Sequence, residues 1–93
     1  MTDRVARRVL VSGLVQGVAF RWSAREAALR LAVHGWVLNL PDRRVEAHIE
    51  GAPDAVERML LWLGEGPPSA RVIGVDVRSV PCEGATGFEV RFE

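Results

Sequence analysis

Ninety-three residues allow one domain with one core, near the lower limit at which a chain folds without staples. Hydrophobic residues make up 48% of the chain, enough for that core, and twelve basic residues balance twelve acidic ones, which argues against a nucleic-acid-binding surface. Every basic residue is arginine, and this excludes a P-loop lysine, a Schiff-base lysine and a lysine general base.

The chain opens on a polar stretch, residues 1–8, with no apolar signal segment. Its longest apolar run, residues 59–63, is far too short for a membrane span. The single Cys82 can form no internal disulfide, as suits a reducing compartment. A soluble, cytoplasmic protein forming one domain over residues 1–93 is expected.

Residues 4–12 have strand spacing, with Val5, Val9 and Val11 on one face and Arg7 interrupting it. Arg4, Arg7 and Arg8 read as solvated strand positions. Residues 13–20 carry two glycines and read as a loop. From about Trp22 the period changes: Ala24, Ala27, Ala28 and Leu31 fall at i, i+3, i+4 and i+7, with Arg25, Glu26 and Arg30 facing away. Gly35 is the expected stop of this helix, with His34 at its negative end.

Two strands follow, 36–40 and 44–50, joined around Pro41, Asp42 and Arg43. The second alternates Val45, Ala47 and Ile49 with Glu46, His48 and Glu50, which predicts one buried and one wet face and makes His48 a solvated sheet residue. A second helix starts at Pro53, presents Val56, Met59, Leu60 and Leu63 as its apolar stripe, and ends at Gly64, Gly66, Pro67 and Pro68. A strand over 71–80 should place Ile73, Val75 and Val77 on one face, and the alternation of Phe88, Val90 and Phe92 predicts a short last strand. The order is β-α-β-β-α-β plus a small C-terminal strand. Two helices cannot cover both faces of such a sheet, so an α+β, ferredoxin-like sandwich is expected, with both helices on one face of an antiparallel sheet. No self-association stripe is left over once both helices use theirs, which favours a monomer.

The usual catalytic equipment is missing. His34 and His48 are isolated in sequence and no second cysteine exists, so no metal site is expected. Cys82 lacks the arginine six positions on that a cysteine phosphatase needs, since position 88 is Phe, and it reads as a small filler near a turn. No serine shows a readable His–Asp relay. What remains is Gly13-Leu14-Val15-Gln16-Gly17-Val18-Ala19-Phe20-Arg21. This segment leaves a strand, turns with the help of glycine and enters a helix whose first turn carries Arg21. Backbone N–H groups there lack intrahelical partners and sit at the positive end of the dipole, a ready anion site. A guanidinium adds a permanent, bidentate clamp for phosphate oxygens.

The same segment resembles the acylphosphatase signature G-x-V-Q-G-V-x-F-R at each fixed position. Two further elements resemble that family in order and spacing: Gly35-Trp36-Val37-Leu38-Asn39-Leu40-Pro41-Asp42, and Gly66-Pro67-Pro68-Ser69-Ala70-Arg71-Val72. The resemblance implies a hydrolase of acyl phosphates that needs no metal or other cofactor. It implies that Arg21 binds the phosphoryl group, that Asn39 positions the attacking water, and that the loop of Val15, Gln16, Gly17, Val18, Ala19 and Phe20 supplies backbone donors. The partners expected are a small acyl phosphate and the inorganic phosphate product. Three positions depart from the commoner family pattern. Ala19 stands where glycine is frequent, and it is strained if the backbone needs φ > 0; Leu14 makes the mouth of the site more apolar; Arg43 replaces a hairpin glycine. A non-catalytic, anion- or partner-binding module of the same fold is the alternative. RNA binding would need exposed aromatic residues on the central strands, whereas Trp36 and Phe88 have ordinary core readings.

Overall fold

The computed structural model describes residues 3–92; the expected domain of 1–93 also includes Met1, Thr2 and Glu93, which lie outside the described residues. Seven elements follow in order: β1 (Val5–Leu14), α1 (Phe20–Leu31), β2 (His34–Asn39), β3 (Val45–Gly51), α2 (Pro53–Glu65), β4 (Arg71–Val80) and β5 (Phe88–Arg91). They build one sheet in the order β4-β1-β3-β2-β5. The first four strands pair antiparallel in the expected ferredoxin-like order. β5 adds to the β2 edge in parallel, so the sheet is mixed. No helix of the described residues is long and apolar enough to cross a membrane.

Both helices use their apolar stripes on the same sheet face. Ala24, Ala27 and Ala28 of α1 and Val56, Met59 and Leu63 of α2 are buried against Val9, Val11, Val37, Val45, Ala47 and Ile49. Small alanines let α1 lie close to the sheet, while the longer α2 side chains and Phe20 fill the space between the helices. Each fully buried Phe, Leu, Met or Ile contributes about 1.5–3 kcal/mol. Phe20 thereby ties the loop before α1 to the core, its ring 5.5 Å from that of Trp62.

Four expectations change. Helix α1 stops not at Gly35 but at Ala32, which takes a left-handed conformation (φ 61°) and returns its N–H to Ala28 and Leu29 carbonyls. Gly35 lies inside β2 instead, where a Cβ would stand 1.7 Å from the His48 carbonyl oxygen. Ile73, Val75 and Val77 do not share one buried face. A bulge opposite Ser12 and Gly13 pairs Gly13 with Val72, so Val72 packs on the core and Ile73 is left 77% exposed. The expected filler Cys82 is exposed.

The fourth change concerns the face away from the helices. His48 is not solvated: it and Glu50 are fully buried. Residues 81–87, between β4 and β5, cross this face and cover it. Glu50 accepts the N–H groups of Glu83 and Ala85, and its Oε2 lies 2.7 Å from His48 Nε2. Arg4 approaches Glu50 at 3.5 Å, and Arg8 pairs with Glu46 and Glu83, so these arginines fasten the cover rather than serving as free surface charge. Trp36 is buried here too, stacked on His48 with Arg8 and Arg91 guanidiniums 4.9 and 4.6 Å from its ring centroid. Phe88 sits in the helix-side core. Alternation along β3 reported the two faces correctly; it carried no information about a loop that arrives from thirty residues later. His48, Glu50 and Glu83 bring possible metal-ligating atoms within 4.8 Å of one another. Two backbone amides, the His48 ring and two arginines already occupy those carboxylates, and the cluster reads as a clamp on the connection. Burial pushes the Glu50 carboxyl up, but the Glu83 and Ala85 amides and the His48 ring outweigh burial and hold it below its usual range.

Candidate active site

Local sequence accounts for the odd start of α1. The residue before the helix, Ala19, is held at φ 61°, ψ 27°, and offers no side chain to cap the first amides. No acidic residue occupies the first turn. α2 also lacks a side-chain cap, but it has Pro53 in its first turn and Asp54 at the positive end of its dipole. At α1 that place is taken by Arg21, a charge of the disfavoured sign. No backbone amide from Gln16 to Phe20 donates to a carbonyl or side chain among the described residues. Five consecutive donors therefore remain uncommitted beside a guanidinium.

The loop is held from outside so that these donors stay in place. Gln16 turns its carboxamide sideways and donates to the carbonyls of Leu40 (2.8 Å) and Arg44 (2.9 Å), latching the loop to the β2–β3 turn next to Asn39. Ser69 donates its hydroxyl to the Val18 carbonyl at 2.9 Å. Val15 and Phe20 are buried in the core and Val18 packs on it. Arg21 is itself oriented: Nη1 donates to the Arg91 carbonyl at 2.8 Å, and its guanidinium lies 4.7 Å from the centroid of the Phe92 ring.

A cavity of about 160 Å³ opens at this point, lined by Val15, Gly17, Ala19, Phe20, Arg21, Trp22 and Asn39. Thus Arg21 and Asn39, eighteen positions apart in sequence, border one space together with four of the six loop residues. Gln16 and Val18 do not line it; their side chains serve the latch and the core. Sequence reasoning missed four contributors: the Gln16 and Ser69 side chains, the Arg91 carbonyl and Trp22. Gln16 and Ser69 lay within the quoted motifs, which was the available signal. A carbonyl oxygen that serves through position alone leaves none.

Such a cavity places the chain among α+β domains whose helix start can accept a compact oxyanion. The acylphosphatase family model matches residues 7–90. An acylphosphatase of Anaeromyxobacter dehalogenans is 56% identical over 99% of this chain and 100% of its own length, and one of Rubrobacter xylanophilus is 61% identical over 97% of this chain and 81% of its own. The solved structure of an acylphosphatase from Coxiella burnetii superposes with a TM-score of 0.92 at 40% identity, covering 96% of this chain and 94% of that one. The chain belongs to the acylphosphatase family. These relatives support the enzyme rather than a non-catalytic module of the same fold.

Proposed function

We propose that this acylphosphatase hydrolyses acyl phosphates by gripping the phosphoryl group with Arg21 and the amides of the 15–20 loop while Asn39 holds the attacking water. One observation carries the reading: Gly17, Ala19 and Phe20, whose amides are uncommitted, border the same small cavity as Arg21 and Asn39. The leaving group is a carboxylate, whose conjugate acid has a pKa of about 4, so it departs unprotonated and no general acid is needed. Phosphoryl transfer passes through a loose state that asks little of the nucleophile. Asparagine can orient water through its carbonyl oxygen without accepting the proton, which a phosphate oxygen of the substrate takes. Charge on the equatorial oxygens is met by the guanidinium and the amides, so the chemistry asks for no metal.

We also propose that the protein is a cytoplasmic monomer. Ile73 and Leu61 are exposed near the β4 edge, but Arg71, Asp76 and Arg78 together with the bulge discourage edge pairing along that strand.

Hydrolysis of acetyl and benzoyl phosphate in the presence of a chelator tests the assignment. Turnover should persist, with little activity on p-nitrophenyl phosphate. Arg21→Ala should lose substrate binding and rate together, and Asn39→Ala should lose about 10²–10³ in kcat while phosphate still inhibits. A wild-type rate from either variant removes that residue from the mechanism.

A further inference from the structure

We infer that Trp22 and Phe92 form an aromatic wall for the acyl half of the substrate, so that the enzyme selects acyl phosphates with a flat, apolar acyl group. The inference rests on the phosphate site proposed above and adds a substrate class to it. Trp22 follows Arg21 directly and lines the same cavity, yet it is 53% exposed and takes no part in the core. Its ring centroid lies 6.3 Å from that of Phe92, at a tilt of 53°. Phe92 is 66% exposed and reaches Arg21 with its face.

Two large aromatic side chains thus stand in water side by side, beyond the end of β5 and on the first turn of α1. Neither contributes to the core, and of the exposed large hydrophobic residues among those described these two alone combine an aromatic ring with a place beside Arg21. Exposure of this kind, continuous with a polar pocket, marks a surface meant to be covered. The cavity is small, and the amides and guanidinium claim the phosphoryl oxygens. The acyl carbon must therefore lie outside the cradle and its substituent across the rim. The Trp22–Phe92 pair supplies that rim on the Arg21 side. A tilted pair leaves edge and face positions for a third ring, the geometry aromatic groups favour. The wall adds no cation of its own, since the Arg91 guanidinium is engaged over Trp36. It rewards apolar area and gives nothing to an anionic acyl group.

The test is the ratio of kcat/KM for benzoyl phosphate to that for acetyl phosphate. Both share the reacting centre, so damage to the phosphate cradle cancels in the ratio. The wild type should favour benzoyl phosphate. Trp22→Ala should lower the ratio about tenfold, within the range that apolar pocket contacts supply, chiefly through KM for the aromatic substrate. Trp22→Phe should recover most of it, and Phe92→Ala should lower the ratio in the same direction. Trp22→Gln, which keeps a long side chain on the helix, guards against a folding artefact and should behave like the alanine variant. An unchanged ratio in Trp22→Ala and Trp22→Gln, or equal losses on the two substrates, overturns the wall. The underlying site fails separately, through full activity of Arg21→Ala.

Discussion

Removing the Gln16 carboxamide offers a direct measure of how the loop is kept ready. In the folded protein that group spans two carbonyls, those of Leu40 and Arg44, at 2.8 and 2.9 Å in a half-buried setting. A hydrogen bond between neutral groups contributes about 1 kcal/mol net, so Gln16→Ala should cost about 2 kcal/mol. For a domain of this size, each kcal/mol moves Tm by about 4–8 °C, which places the expected drop near 10 °C. If the latch also orients the amides, the same free energy is missing from the transition state. Since 1.36 kcal/mol is tenfold in rate, kcat/KM should fall by up to about thirtyfold. Thermal melts and benzoyl phosphate kinetics on one preparation give both numbers. Gln16→Glu should be worse than alanine, because a carboxylate would face two carbonyl oxygens. A variant with unchanged Tm and unchanged kcat/KM refutes the latch. A lowered Tm with intact kcat/KM leaves it a fold element with no part in positioning the loop.

Ala19→Gly should raise stability by about 0.5–1 kcal/mol. Relief of the left-handed strain, about 1–2 kcal/mol, exceeds the added freedom of the unfolded chain, about 0.4–1 kcal/mol; a urea midpoint at or below wild type contradicts this. Glu50→Gln should weaken the protein near neutral pH and flatten its acid limb. The Glu50 carboxyl is held below the ordinary glutamate range, so its contribution is present above the unfolded-state value of about 4.3 and is lost as pH falls through the folded-state value. A constant stability difference between the two proteins from pH 7 down to pH 3 would exclude that linkage. Gly35→Ala should cost at least about 3 kcal/mol, because the new Cβ meets the His48 carbonyl and φ there is 143°. An ordinary melting curve for this variant would show that β2 can shift, and Asn39 with it.

What could be read before the structure was whatever depends on neighbours in sequence. The stripes of α1 and α2 and the alternation of β3 follow from the helical and strand periods, and each buries the face expected. The nine residues from Gly13 to Arg21 hold most of the cradle in one continuous segment, so chemistry and motif could be read together. Asn39 came from resemblance alone, because no periodicity marks a carboxamide at a strand end. His48 was misread for the converse reason: its burial depends on residues 81–87 crossing a face that β3 alone shows as polar. Ile73 failed through one extra residue in β4, which a period-two pattern cannot reveal. Ala32 took the role given to Gly35 because a left-handed cap costs alanine about 1–2 kcal/mol, whereas any side chain at position 35 would meet backbone.

The two helix starts differ in a way that bears on function. α2 opens as stability asks, with Pro53 in its first turn and Asp54 at the positive end. Neither helix has a side-chain cap, but α1 alone sets an alanine in left-handed geometry and an arginine at its positive end. The ill-placed charge costs about 0.3–1 kcal/mol and the strained alanine about 1–2 kcal/mol. A domain of 93 residues, with a net stability of about 5–14 kcal/mol, carries about 2 kcal/mol of avoidable strain at one point. A dianion reverses the electrostatic part at a stroke, because it supplies the acceptor the amides lack and the opposite charge Arg21 lacks. The fold keeps that turn unsatisfied through the outside supports of Gln16, Ser69 and Phe20, the state that the proposed phosphate site requires.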